Sequence, residues 1–307
     1  MKLSPRWRRA LSFALVAAVF VFLGAEIYRN AEQLRSFRWD VRPGFLAVSV
    51  AVLAGVLLWG VAVWGAVLRK FGATVPFGEL ARAWFLSNLS RYIPGVVWQF
   101  VSLAQLGRGA GLGPSASVMS LLVQMGFLLL SAAVLGVYLL PLSLAGVLAP
   151  SLPVLRLLAP FALALVHPAV IRTGLGAVAR VTRRETPSWS GTWVDGVLFL
   201  LLSAGAWALS GGAFYLFLLS FVDLPAGALP AVIAMNALAF IVGYAAFFAP
   251  GGIGFKEAAL TLLLAGLMPP AVAASLAIAA RLWTVAAELL PIPFLLYGRR
   301  GPIEPAE

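Results

Sequence analysis

Apolar residues follow one another for about twenty positions or more in residues 10–28, 45–68, 115–140, 194–222 and 271–297, with hardly a charge among them. That length is what an α-helix needs to cross the roughly 30 Å hydrocarbon core of a bilayer. A membrane β-barrel would instead alternate polar and apolar residues in segments of roughly ten, and these runs are continuous. The fold class expected is an all-α integral membrane protein. Of 307 residues, 62% are hydrophobic and 11% charged, where an ordinary globular domain carries about 25% charged residues.

The order of the runs suggests a topology. Lys2, Arg6, Arg8 and Arg9 precede the first run, as in a secretory signal. No small-x-small cleavage site follows and Glu26-Ile27-Tyr28 continues the segment, so residues 10–28 are read as an uncleaved first span with a cytoplasmic N-terminus. Further spans are expected at 45–68, 115–140, 154–170, 194–222 and 271–297, with residues 172–193 forming a cytoplasmic loop. Two regions differ. Residues 77–93 and 96–106 are separated by Pro94-Gly95, and 228–248 and 253–267 by Pro250-Gly251-Gly252. Each is read as a re-entrant helical hairpin, the first entering from the cytoplasm and the second from outside. Opposed broken pairs, one in each half, are what an inverted repeat would produce.

The whole is read as one transmembrane domain, 1–307, with halves 1–150 and 151–300, about six spans, two hairpins and no soluble domain. Both termini and the basic groups Arg69-Lys70, Arg172 to Arg184 and Arg299-Arg300 then lie in the cytoplasm. One loop disagrees: Arg29, Arg35, Arg38 and Arg42 fall outside, only partly offset by Glu32 and Asp40. The net charge of +11 lies largely in tails and short loops, where it orients the protein and meets anionic lipid rather than nucleic acid.

The chain has no cysteine and a single histidine, His167. That excludes disulfides, thiolate metal sites, cysteine nucleophiles and a histidine metal cluster. No Walker loop, histidine–carboxylate metal motif or G-x-S-x-G is found, and neither a catalytic residue nor a cofactor is expected.

The candidate chemistry lies at the breaks. An ionisable residue inside a membrane span is a functional candidate by default, and broken backbone at that depth survives only where protein or a watery cavity covers it. Lys256 and Glu257 open a short helix after Pro250-Gly251-Gly252. A helix N-terminus offers amide donors and partial positive charge, which suits a phosphate or carboxylate. The alternative is interfacial, with Lys256 snorkelling and Glu257 capping. Arg281 and Glu288 share a face of the last span, seven residues apart. Arg281 needs a carboxylate, and Glu257 or Glu288 would serve, in a site or in a packing pair. In the first half Arg91 suits an anionic headgroup. Asn88 and Gln99 would hydrogen-bond one, or would satisfy backbone groups freed by Pro94. Gln124 and Asn236 are read as bonds between helices, His167 as structural, and Gly211-Gly212 as a close helix contact. Asp195 and Asp223 are read as interfacial, and Trp39, Trp84, Trp189 and Trp193 as an interfacial belt.

At these motifs the chain resembles the lysylphosphatidylglycerol synthase transmembrane-region family, the flippase-like membrane part of the bacterial multiple peptide resistance factor and of stand-alone relatives. The similar residues are Asn88 with Tyr92-Ile93-Pro94-Gly95-Val96-Val97-Trp98, then Pro250-Gly251-Gly252-Ile253-Gly254-Phe255-Lys256-Glu257, then Arg281. Where many members carry an acidic residue soon after the first Pro-Gly, this chain has Trp98-Gln99. The resemblance implies a bacterial or archaeal plasma-membrane protein that moves a lipid or lipid-linked anionic substrate between leaflets. It implies no synthase activity, since 1–307 contains nothing like the family's soluble aminoacyl transferase domain. Two other readings stand beside it. One is a membrane enzyme acting on a lipid phosphate with Glu257 as acid–base. The other is a scaffold for an envelope glycosyltransferase or a lipid-modifying enzyme.

Overall fold

The computed structural model describes residues 39–89, 102–103, 105, 113–182, 188–246 and 249–297, with Tyr28 and Phe37 besides. Every regular element among them is helical. In chain order they are α1 (Pro43–Arg69), α2 (Phe77–Leu89), α3 (Pro114–Leu139), α4 (Leu152–Leu165, with a 3-10 turn at Ala159–Phe161), α5 (Pro168–Thr182), α6 (Trp193–Leu219), α7 (Leu229–Ala245), α8 (Phe255–Leu264), α9 (Pro270–Leu289) and α10 (Ile292–Tyr297). The first expected span, apart from Tyr28, lies outside the described residues, as do Arg91, Gln99 and the Pro94-Gly95 break. Among the described residues, five helical stretches are long and apolar enough to cross a bilayer: Pro43–Arg69, Ser115–Leu139, Trp193–Leu219, Ala226–Ala245 and Pro270–Leu295, with the bent α4–α5 pair a sixth if taken as one span. This is a multi-pass membrane architecture.

Local chemistry sets the helix ends. Prolines occupy the first turns of α1, α3 and α9, where a missing N–H costs nothing. At α6 the Asp195 amide donates to Thr192 Oγ1 at 3.2 Å and the Thr192 amide donates to Asp195 Oδ2 at 2.8 Å, a reciprocal cap. Leu140 and Pro141 stop α3. Arg156 donates to the carbonyls of Val137 and Leu140, at 3.0 and 2.7 Å, satisfying acceptors that the helix end leaves open.

Helices α1 and α6 form an antiparallel central pair pinned at both ends. At one end the Arg42 amide donates to the Ser220 carbonyl at 2.9 Å, and the Arg42 guanidinium contacts Asp40 and, at 2.5 Å, Asp223. At the other, the Ser190 amide donates to the Lys70 carbonyl and Lys70 Nζ lies 2.9 Å from Asp195 Oδ1. These are called the Asp223 end and the Lys70 end. Asp40 and Asp223 together answer Arg42, one of the arginines that ran against the charge rule. Polar side chains bridge between helices, as expected: Gln124 Nε2 donates to the Gly60 carbonyl at 2.7 Å, and Asn236 Nδ2 to Ser210 Oγ at 3.1 Å. Around Phe214, Phe217 and Trp283 the largest core cluster fills with small residues of α9, among them Ala273, Ala277 and Ala280.

The Gly211-Gly212 pair divides. A Cβ on Gly211 would sit 2.6 Å from Ile233 Cα in α7, whereas Gly212 has nothing within 4 Å. Gly211→Val is therefore expected to cost about 1–3 kcal/mol through overpacking against backbone. Gly212→Val should change stability by less than about 0.5 kcal/mol. Thermal unfolding of the two variants in one detergent checks the contrast, and equal losses would show that α6 and α7 do not pack in this register.

Two expectations are corrected. Residues 154–170 do not form one straight span followed by a loop. The chain bends by 79° between Leu165 and Pro168, and Arg172 and Arg180 lie on helix α5. Pro168 has no amide to continue α4 and disfavours helical backbone at His167. His167 Nδ1 accepts the Ala169 amide at 3.2 Å and starts α5 afresh. Ile171, Leu175 and Ala179 then pack beside Phe71 and Trp189. The interfacial belt is corrected too. Trp39 and Trp193 are exposed, but Trp84 and Trp189 are buried, edge-on to Phe85 and Phe71.

Candidate functional site

Helices α7 and α8 fold back on one another, and both of their outer ends lie at the Asp223 end. Before α7, the Leu224 carbonyl accepts Tyr215 Oη at 3.0 Å. After α8, Leu264 and Met268 share a cluster with Leu140, Ala145 and Val222. The turn between them lies well inside the bundle, because Phe240 of α7 packs on Trp207, near the middle of the 27-residue α6. Helix α8 has 10 residues, about 15 Å of rise and too short to cross a bilayer alone.

The turn depends on glycine. Gly251, Gly252 and Gly254 have φ of 58°, 65° and 88°, the left-handed region that side chains disfavour. Gly252 has a second reason: a Cβ there would lie 2.4 Å from the Gly243 carbonyl oxygen of α7. The absent side chain of Gly243 in turn leaves room for Lys256, whose Cβ would be 3.0 Å from a Cβ on Gly243. Short internal bonds hold the turn, Ala249 N–H to the Ala246 carbonyl at 2.8 Å and Gly252 N–H to the Ala249 carbonyl at 3.0 Å.

Three charged side chains meet this turn or its helix. Glu257, 3% exposed, accepts the Gly254 amide on Oε2 at 2.7 Å and so caps α8 from within. Arg281 of α9 donates from Nη1 to the Gly251 carbonyl at 3.2 Å, and the same nitrogen is 3.6 Å from Glu257 Oε1. Lys256, half-buried, stands beside Glu257 in the first turn of α8. Two cations and one carboxylate thus gather at the N-terminal end of a short helix, where the backbone adds partial positive charge. The Arg281 side chain keeps 20% exposure against 4% for Glu257, although its Nη2 atom is buried.

Among the expected site residues, Lys256, Glu257, Gly251, Gly252 and Arg281 come together. Glu288 is buried two turns further along α9, and of the two carboxylates offered to Arg281 it is Glu257 that lies beside it. Asn88 is buried near the end of α2, whose core is the Val61, Trp64 and Phe85 cluster rather than the α7–α9 cluster. Arg91 and Gln99 lie outside the described residues. Sequence reasoning missed the Gly251 carbonyl as an arginine acceptor and Gly243 as the partner of Gly252. The only signal for the latter is a glycine inside an apolar helix, which has many causes.

The family described as lysylphosphatidylglycerol synthase TM region matches residues 9–291. No curated protein matches the chain.

Proposed function

Since the chain belongs to the lysylphosphatidylglycerol synthase transmembrane-region family, a family of membrane proteins, we propose that it is a translocase that moves a lipid or lipid-linked substrate with an anionic headgroup between leaflets. The observation that carries the reading is the Arg281 guanidinium placed against a glycine turn inside a membrane bundle, between the Gly251 carbonyl and the Glu257 carboxylate. A structural ion pair has no need of a broken helix. A headgroup site does, because the break brings a helix N-terminus and backbone to membrane depth.

In this reading the resting charge of Arg281 is balanced by Glu257. An incoming phosphate takes the place of that carboxylate at the guanidinium, Lys256 adds the second cation, and Glu257 keeps its bond to the Gly254 amide. The gain is electrostatic. A charged group near a helix centre in the bilayer costs about 2.5–3.5 kcal/mol on insertion scales, and a cationic path lowers that cost for an anionic headgroup while leaving a zwitterionic one less favoured.

Purified protein in liposomes should move a labelled anionic phospholipid between leaflets, and Lys256→Ala or Arg281→Ala should slow it at least tenfold, or about 1.4 kcal/mol. Protein that moves no anionic lipid, or variants that move it as fast as the parent, would sink the proposal.

A further inference from the structure

At the Lys70 end one arginine clips the last span to the first half of the chain. Helix α9 stops at Leu289 because Pro291 has no amide to continue it, and α10 starts afresh beyond the break. Ile292 and Leu295 of α10 pack on the cluster that holds Leu68 of α1 and Leu80 and Phe85 of α2. Arg82 of α2 reaches across to the same segment. Its Nη2 donates to the Leu295 carbonyl at 2.6 Å, and its Nη1 lies 3.4 Å from Glu79 Oε1.

The clip is closed but not complete. The Arg82 side chain is 15% exposed, and its buried Nε finds no acceptor among the described residues. A buried donor left unbonded is costly, and opening admits water that relieves it. On the other side α10 is lightly held. It has 6 residues, Ile292 and Leu295 are only partly buried, and Phe294 is exposed. A short segment beyond a proline break, with few buried apolar contacts, belongs to the low-stability end of a fold and opens locally.

The clip stands between the Lys70 end and Arg281. Arg281, Thr284 and Glu288 follow one another at i, i+3 and i+7 and so share a face of α9. From Arg281 to Glu288 that face runs about 10 Å toward the Lys70 end. Glu288 stands one residue before the end of α9, and it is 3% exposed. The face is therefore closed at this end, and α10, seated on α2, follows directly after it.

From this combination we infer that α10 is a strap. Held on α2 by Arg82, it closes the approach from the Lys70 end to Arg281. Swung off α2 about the Leu290-Pro291 break, it opens that approach. Its use as a gate for a headgroup rests on the translocase reading, whereas the opening itself does not.

The test uses the full chain, whose lack of cysteine makes a single introduced thiol a clean reporter. In nanodiscs Thr284→Cys reports water on the face, because a charged maleimide reacts only with a hydrated thiol. Arg82→Ala should raise its labelling rate at least about fivefold, as loss of a charge-assisted hydrogen bond allows. Ala273→Cys, buried in the core near the other end of α9, should stay unlabelled in the same background, which marks the opening as local. Leu295→Ala loosens α10 from its cluster and serves as the second variant if Arg82→Ala does not fold. In liposomes, Arg82→Cys and Leu295→Cys bridged by a short bifunctional methanethiosulfonate should stop lipid movement, and reduction should restore it. Unchanged labelling of Thr284→Cys in a folded variant, or an equal gain at Ala273→Cys, would overturn the strap. Undiminished lipid movement in the bridged protein would overturn the gate. Protein that moves no lipid even when reduced removes the gate together with the translocase reading, and the labelling rates still decide the strap.

Discussion

Gly252→Ala should remove about 3 kcal/mol of stability. Two costs fall on the same atom. At φ 65° a Cβ raises the backbone energy by about 1–2 kcal/mol. The same Cβ would lie 2.4 Å from the Gly243 carbonyl oxygen and 2.8 Å from its carbonyl carbon. Those atoms belong to helical backbone and cannot swing aside, so overpacking adds about 1–3 kcal/mol. The strain is relieved only by parting α7 from α8, which opens the turn that carries Gly251 and Glu257. Gly205→Ala in α6 is the control, since a Cβ there meets nothing within 4 Å and a helical glycine gains up to about 1 kcal/mol on becoming alanine. Thermal unfolding of the two variants in the same detergent should move in opposite directions. If Gly252→Ala unfolds with the parent, the close approach of the turn to Gly243 is not a feature of the folded protein.

Arg281→Met should cost about 3 kcal/mol, because it leaves the Glu257 carboxylate, 3% exposed, without its guanidinium. The loss is the penalty of an uncompensated buried charge rather than the worth of a contact. Glu257→Gln in the Arg281→Met background removes that charge while keeping an oxygen for the Gly254 amide. The double variant should therefore regain most of the lost stability, giving a coupling energy of about 2 kcal/mol by a double-mutant cycle. Lipid movement should stay lost in the double variant. That separates the two roles open to the pair, because a purely structural one would return together with stability. A double variant that is stable and also transports at the parental rate would remove Arg281 from any headgroup site.

How far the sequence reached depends on the scale of the interaction. The spans 45–68, 115–140 and 194–222 emerge within one to three residues of α1, α3 and α6. Continuous apolar composition, an N1 proline and the Thr192 cap are local quantities. The break at Pro250-Gly251-Gly252 was equally legible, since proline and paired glycines cannot continue a helix. The 79° elbow was missed although His167-Pro168 marks it. Composition alone cannot distinguish a kinked span from a span that ends, and the basic residues beyond it read as a loop until Ile171, Leu175 and Ala179 find a surface to cover. Trp84 and Trp189 were misplaced for the same reason: a tryptophan near a charge reads as interfacial until its neighbours are known.

The sequence by itself determined that this is a helical membrane protein, where its long spans 45–68, 115–140 and 194–222 start and stop, and that Lys256 and Glu257 stand in a broken segment with Arg281 in the span after it. These follow from the cost of placing backbone and charge in hydrocarbon, which each segment meets alone. The tertiary structure decided which groups meet. It set Arg281 on Glu257 and the Gly251 carbonyl, with Glu288 two turns away, made Gly211 a contact and Gly212 open space, and fitted Gly252 to Gly243. Residues on different helices meet only once helix rotation and tilt are fixed by packing, and no single segment carries that information.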